Sequence, residues 1–249
     1  MGFQFPFDTE YLTSLSKNMQ TILGQTQKAM DNAQYALNVF IQGVKKIPDS
    51  TKTLAENGWY LPLNIHPTVA NRMAEEIKDG NNDLADSEMI EFLDNELTNI
   101  QEQINKRFPH RSNVINASIR AHRNGDYYLS IPVFFAQIEG ICNELIDTRI
   151  YKINKKQPKT ALWIKNFKSD SIMRMLLEPL GIIGPIRQAQ EPGNPLGINR
   201  HDVMHGDCFD YGESKMNSYK VLSLLFYIGD TVFEAKKHLK RIDQKQSDK

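Results

Sequence analysis

Between Asp126 and Ile150, apolar side chains fall on several faces of any helix the segment forms: Leu129, Ile131, Val133, Phe134, Phe135, Ile138, Ile141 and Leu145. A helix without a fully polar face must be surrounded by other elements, so this one is expected at the centre of the fold, with Pro132 tolerated near its first turns. Asn124-Gly125-Asp126 ahead of it is a helix stop followed by a helix start, which makes residues 112–123 its paired helix.

The same three- and four-residue recurrence runs along most of the chain. In residues 8–46 it is carried by Leu12, Leu15, Met19, Ile22 and Leu23, then by Ala29, Ala33, Ala36, Leu37, Phe40 and Val44, with Pro48 expected to end the helix. Its polar faces are rich in Gln and Asn, so it is either an arm packed along the body or an oligomerisation element. Gly58–Leu63 lacks a helical period and reads as a loop packed on the core. Residues 66–79 and 82–107 form two more helices around the turn cluster Asp79-Gly80-Asn81-Asn82. A weaker helical stretch, 169–190, is broken at Pro179 and Gly181; residues 191–197 form a rigid loop. The last long helix, 213–241, belongs in the core or in a subunit interface, and the polar tail Asp243–Lys249 should not stay ordered. No strand pair is expected. The fold class is all-α, a helical bundle, divided at Arg107–Arg111 into an N-terminal accessory region (1–108) and a second helical domain (109–249).

Several classes of protein are disfavoured. No apolar run approaches the roughly 20 residues that span a bilayer. The N-terminus has no basic region of the signal-peptide kind, and Pro6 stands where a myristoylation signal wants Ser or Thr. Cys142 and Cys208 make no disulfide framework. The expected compartment is therefore the cytoplasm, with no membrane partner. The absence of a Walker loop or a G-x-G-x-x-G turn argues against nucleotide triphosphate chemistry. Charge is unevenly spread: the first 108 residues are net acidic and the remainder net basic. From Arg149 to Lys168 there are seven basic residues and no acidic one, with Tyr151, Trp163 and Phe167 interleaved. Cations neutralise phosphates and aromatic rings stack on bases, so Lys155, Lys156, Lys159 and Trp163 are candidate RNA contacts. The plainer alternative is a lysine-rich surface loop leading into a short helix. Arg120 and Arg123 would extend a phosphate track, and His122 beside them reads as a surface residue.

The chemistry concentrates in Asn199-Arg200-His201-Asp202-Val203-Met204-His205-Gly206. Arg200 is permanently cationic and can clamp a phosphate; His205 is the natural acid/base near neutral pH. Five residues on a helix separate them by about 140° net, so they would flank a groove, not share a face. This is minimal equipment for moving a proton on a phosphodiester while stabilising charge on its oxygens. Asp202 and Asp207 lie near enough in sequence to orient an imidazole.

Arg-x4-His just before the last core helix, carried here by Arg200 and His205, resembles the signature of the HEPN superfamily (higher eukaryotes and prokaryotes nucleotide-binding domains). The resemblance covers roughly residues 112–241; His201 stands where members often carry Asn or Asp. It implies a helical bundle of the HEPN type, with residues 1–108 as an extension. It also implies a homodimer with two motifs facing one composite cleft, and RNA cleavage without metal or other cofactor. In that family the attacking group is the substrate's own 2′-OH, which leaves a 2′,3′-cyclic phosphate, and members serve as toxins paired with antitoxins or as phage-defence effectors.

Two other readings stand beside it. His201 and His205 are one turn apart, as zinc would require, with Cys208 or Asp210 as a third ligand for a metal-dependent hydrolase. Alternatively, Arg200 and Asp202 form a structural ion pair in a non-catalytic helical interaction protein, with His205 a helix-end histidine. Glu139, a lone carboxylate in the apolar run, either meets a partner such as Arg200 or Arg120 and aims it, or sits on the exposed edge of its helix.

Overall fold

The computed structural model describes residues 9–62, 65–151, 153–154, 157–167, 171–182 and 198–247. The chain forms two compact units, Met1–Lys45 and Lys46–Lys249. The first is built on the leading turns of helix α1 (Thr9–Glu56). That helix does not stop at Pro48 as expected. An internal proline costs about 3 kcal/mol, but Ile47, Leu54 and Ala55 are buried in the core, and Ser50 donates to the Asn71 side chain at 2.7 Å. Packing of the last turns therefore outweighs the lost backbone bond.

In the second unit, α2 (Pro67–Lys78) and α3 (Asn82–Arg107) are joined through Gly80, whose φ of 85° favours glycine. Helices α4 (Ser112–Arg123) and α5 (Tyr127–Ile146) follow as a hairpin. The expectation of a central helix holds: α5 packs against α4, against α9 (Lys215–Tyr227) and against the short α8 (Arg200–His205). It ends at Ile146, four residues earlier than the apolar pattern suggests, because the next residue, Asp147, turns left-handed with φ 50°. By length and composition α5 is apolar enough to cross a bilayer, a property masked in the sequence because Ser130, Pro132, Gln137 and Glu139 interrupt its apolar run. Its Ile131, Phe134, Phe135, Ile138 and Ile141 are buried in the core.

Beyond α5, a two-residue antiparallel pair, Ile153–Asn154 with Gln157–Pro158, corrects the expectation of no strands. Short helices α6 (Lys159–Ile164) and α7 (Ser171–Leu177) follow; the rigid loop expected at 191–197 lies outside the described residues. Trp59 and Tyr60 are fully buried, so Gly58–Pro62 is core, as the missing period suggested.

The final helix is not one continuous rod. α9 gives way to a π-helical turn at Ile228–Val232 before α10 (Phe233–Ser247), which keeps the tail helical to Ser247. At the turn, Gly229 lies against α3: a Cβ there would stand 3.3 Å from Ile104 Cγ1. Arg107 donates to the Gly229 carbonyl at 2.9 Å and pairs with Asp230 at 2.7 Å. Arg107, in the junction expected to separate an N-terminal domain from a C-terminal one, thus ties α3 to the π turn; the two compact units divide at Lys45/Lys46. Residues Asn217–Tyr227 are all buried within their own chain, so α9 does not offer the subunit surface that its apolar breadth suggested.

His122 also departs from expectation. It is buried on the inner face of α4, ringed by Tyr127, Phe134 and Tyr219, with Nδ1 2.8 Å from Ser218 Oγ. Burial pushes its pKa down to about 4. The unfolded chain takes up this proton below pH ~6.5 and the folded chain does not until about 4, so stability is complete above 6.5 and falls between those values. Urea unfolding across that window should show a loss of roughly 3 kcal/mol that His122→Gln lacks. Parallel pH slopes in the two proteins would contradict this.

Candidate functional site

Helix α8 is short and held at both ends. Asn199 caps it, its side-chain oxygen accepting the His201 N–H at 2.9 Å. Gly206 closes it with φ 81°, and the Asp202 carbonyl then accepts the N–H groups of Asp207 (2.8 Å) and Cys208 (3.2 Å). Val203 is the buried anchor; His201, Met204 and His205 face outward.

Arg200 points towards α5. Its Nη2 donates to Glu139 Oε2 at 2.9 Å, and the guanidinium carbon stands 5.1 Å from the centroid of the Tyr151 ring. Both partners of the ion pair are 23% exposed, so the pair is screened from bulk water yet open on one side. Glu139 therefore does not sit on an exposed edge, and its partner is Arg200, not Arg120. Burial raises the Tyr151 phenol well above its ordinary value and pushes the Cys142 thiol up to about 12. Both neighbours stay neutral at physiological pH, which leaves Glu139 and Arg200 as the local charges. Arg200 Nε and Asn199 Nδ2 are buried without a hydrogen-bond partner among the described residues.

On the outward side, the rings of His201 and His205 lie 4.4 Å apart, tilted by 54°. Spacing of four residues on one helix face gives this contact directly. Asp202 lies between them in sequence, half-buried. Cys208 donates to Asp210 at 3.1 Å. Among the described residues, no three His, Cys, Asp or Glu side chains gather to hold a metal ion.

Of the candidate RNA contacts, Arg120 and Arg123 lie on α4, and Lys159 and Trp163 on α6. Arg120 is exposed and borders a groove of about 340 Å³ between α4 and the start of α5, with Val114, Leu129 and Val133. Arg123 is exposed and donates to Thr98 at 3.0 Å. Lys155 and Lys156 lie outside the described residues; Lys159 begins α6 half-buried. Trp163 is also half-buried, packed edge-on against Phe167 at 5.1 Å.

Sequence reading missed Arg111. It bonds Glu144 at 3.1 Å and Gln137 at 3.0 Å, and its guanidinium fills the space beside Gly140, where a Cβ would stand 2.8 Å from Nη1. The signal was present in Glu139-Gly140: a glycine within a buried helix marks a close approach. No family model, curated protein or solved structure matches this chain.

Proposed function

We propose that this protein is a metal-independent endoribonuclease of the HEPN type that works as a homodimer, with Arg200 and His205 as its catalytic residues. The observation that carries the reading is the Arg200–Glu139 pair: a carboxylate from the central helix fixes one edge of a partly exposed guanidinium on the same short helix that carries two exposed imidazoles. A phosphate approaching this face meets a preorganised cation, whose attraction is stronger in a partly desolvated site than in water.

In the proposed reaction, the ribose 2′-OH attacks the adjacent phosphorus and gives up its proton to an imidazole. The P–O5′ bond breaks, the leaving oxygen takes a proton, and a 2′,3′-cyclic phosphate remains. His205 moves the proton and Arg200 stabilises the charge gathering on the phosphoryl oxygens. Glu139 acts through Arg200 as a positioning residue. His201 supports its neighbour, and Asp202 lies close by in the same turn. Arg120, Arg123, Lys155, Lys156, Lys159 and Trp163 are proposed to hold the RNA backbone and bases away from the reacting phosphate.

The test is bulk RNA with purified protein in EDTA, followed by end-group analysis. Cleavage that survives chelation and leaves cyclic phosphate ends is the expected result. Activity abolished by EDTA and restored by zinc would move the chemistry to a metal held by His201 and His205. No cleavage under either condition would favour the interaction-protein reading.

A further inference from the structure

Leu23, Met30, Leu37 and Val44 recur at intervals of seven residues along α1. Between them Met19, Thr26, Ala33 and Phe40 do the same, so the combined stripe steps alternately by four and three. The six larger apolar members are between 38% and 65% exposed, and Thr26 and Ala33 are exposed as well. A strict seven-residue apolar repeat on a helix is the pattern of a two-stranded coiled coil, because it keeps one seam facing a partner. From Met19 to Val44 the seam runs about 38 Å, or roughly three and a half heptads, long enough for stable pairing.

What flanks the seam selects the partner. One edge carries Gln20, Gln27, Gln34 and Ile41, the other Ile22, Ala29, Ala36 and Gly43. The charged residues of this stretch, Lys17, Lys28, Asp31 and Lys45, all fall on outward positions of the repeat. A second copy of the helix therefore meets no like charge, and no edge charge exists to choose a different sequence. The small, exposed Ala29 and Ala36 at one edge let the two backbones come close. Thr26 is no obstacle to burial, because its hydroxyl already donates to the Ile22 carbonyl at 2.9 Å. Two stripes of this length together bury on the order of 1,200 Å² or more, the size of a specific interface.

We propose that residues 19–44 of α1 pair with the same segment of a second copy of this chain. The pairing stands on the stripe alone and holds whether or not the protein cleaves RNA. Sedimentation equilibrium of the full chain at micromolar concentration should give twice the 28.6 kDa chain mass. Leu37→Glu places a charge in the seam and should weaken the dimer at least about 100-fold, whereas Gln42→Glu, the same charge on the outer face, should leave it unchanged. Thr26→Leu should tighten the dimer, roughly tenfold. Far-UV circular dichroism checks that each variant keeps its helical body. A monomeric wild-type chain, or equal behaviour of the Leu37 and Gln42 variants, would overturn the proposal. So would a monomer that pellets with phosphatidylcholine–phosphatidylserine vesicles and stops doing so in Leu37→Glu, which would assign the stripe to a lipid surface.

Discussion

Arg200→Ala and His205→Ala should each lower RNA cleavage in EDTA by about 100- to 1,000-fold, the usual cost of losing a transition-state charge stabiliser or a proton-transfer group. Their combination should fall little further, because the two act in one step. Neither change should unfold the protein. His205 is exposed, and Arg200 lies at the edge of the core. Its removal does strand Glu139, a carboxylate 23% exposed, so thermal unfolding of Arg200→Ala must be followed alongside activity. Glu139→Gln separates positioning from catalysis. It keeps an oxygen that can accept from Arg200 but removes the charge, so it should reduce kcat less than Arg200→Ala does, with little change in KM. Cleavage undiminished by His205→Ala would remove the acid/base assignment, and cleavage undiminished by Arg200→Ala would remove Arg200 and the HEPN-type site from the reaction.

The pairing of Glu139 with Arg200 illustrates what a single sequence can reveal. A lone carboxylate in an apolar run needs a counter-ion, and few cations near a helix start can reach it; Arg200 was one of two candidates. The central place of α5 was legible for the same kind of reason: burial follows from having no polar face. Other features depend on contacts that no local pattern encodes. Pro48 says stop, but Ile47 and Leu54 are held in a core assembled from distant segments. The π turn at Ile228–Val232 exists where Gly229 meets Ile104 and Arg107, more than 100 positions earlier. His122 falls three residues after Ile119 and seven after Ile115, a spacing that already puts it on the buried face. What the sequence hides is Ser218, the partner 96 positions away.

Lys220 and Asp86 carry the largest stability effect expected in the second unit. Lys220 is only 3% exposed; its ammonium lies 3.9 Å from Asp86 Oδ1 and 5.3 Å from the centroid of Trp59. Asp86 Oδ1 also accepts the Trp59 indole N–H at 2.6 Å, so one carboxylate joins α3, α9 and the loop after α1. Asp86→Ala removes both contacts and leaves a buried ammonium without its counter-ion, which should cost about 3–5 kcal/mol in urea unfolding. Adding Lys220→Met to that variant should restore much of the loss, because an apolar side chain of similar length does not need the missing carboxylate. The pH dependence gives an independent check. Burial lowers the Lys220 pKa and the Asp86 charge opposes that shift, so Asp86→Asn should lower it further. A native state that binds fewer protons than the unfolded chain gains stability as pH rises. Asp86→Asn should therefore gain stability relative to wild type as pH rises from neutral towards the ordinary lysine range, and Lys220→Met in the same background should abolish the gain. If Asp86→Asn and wild type keep a constant difference across that range, Lys220 does not depend on Asp86 for its charge. The bond from Trp59 would then be what Asp86 is there to make.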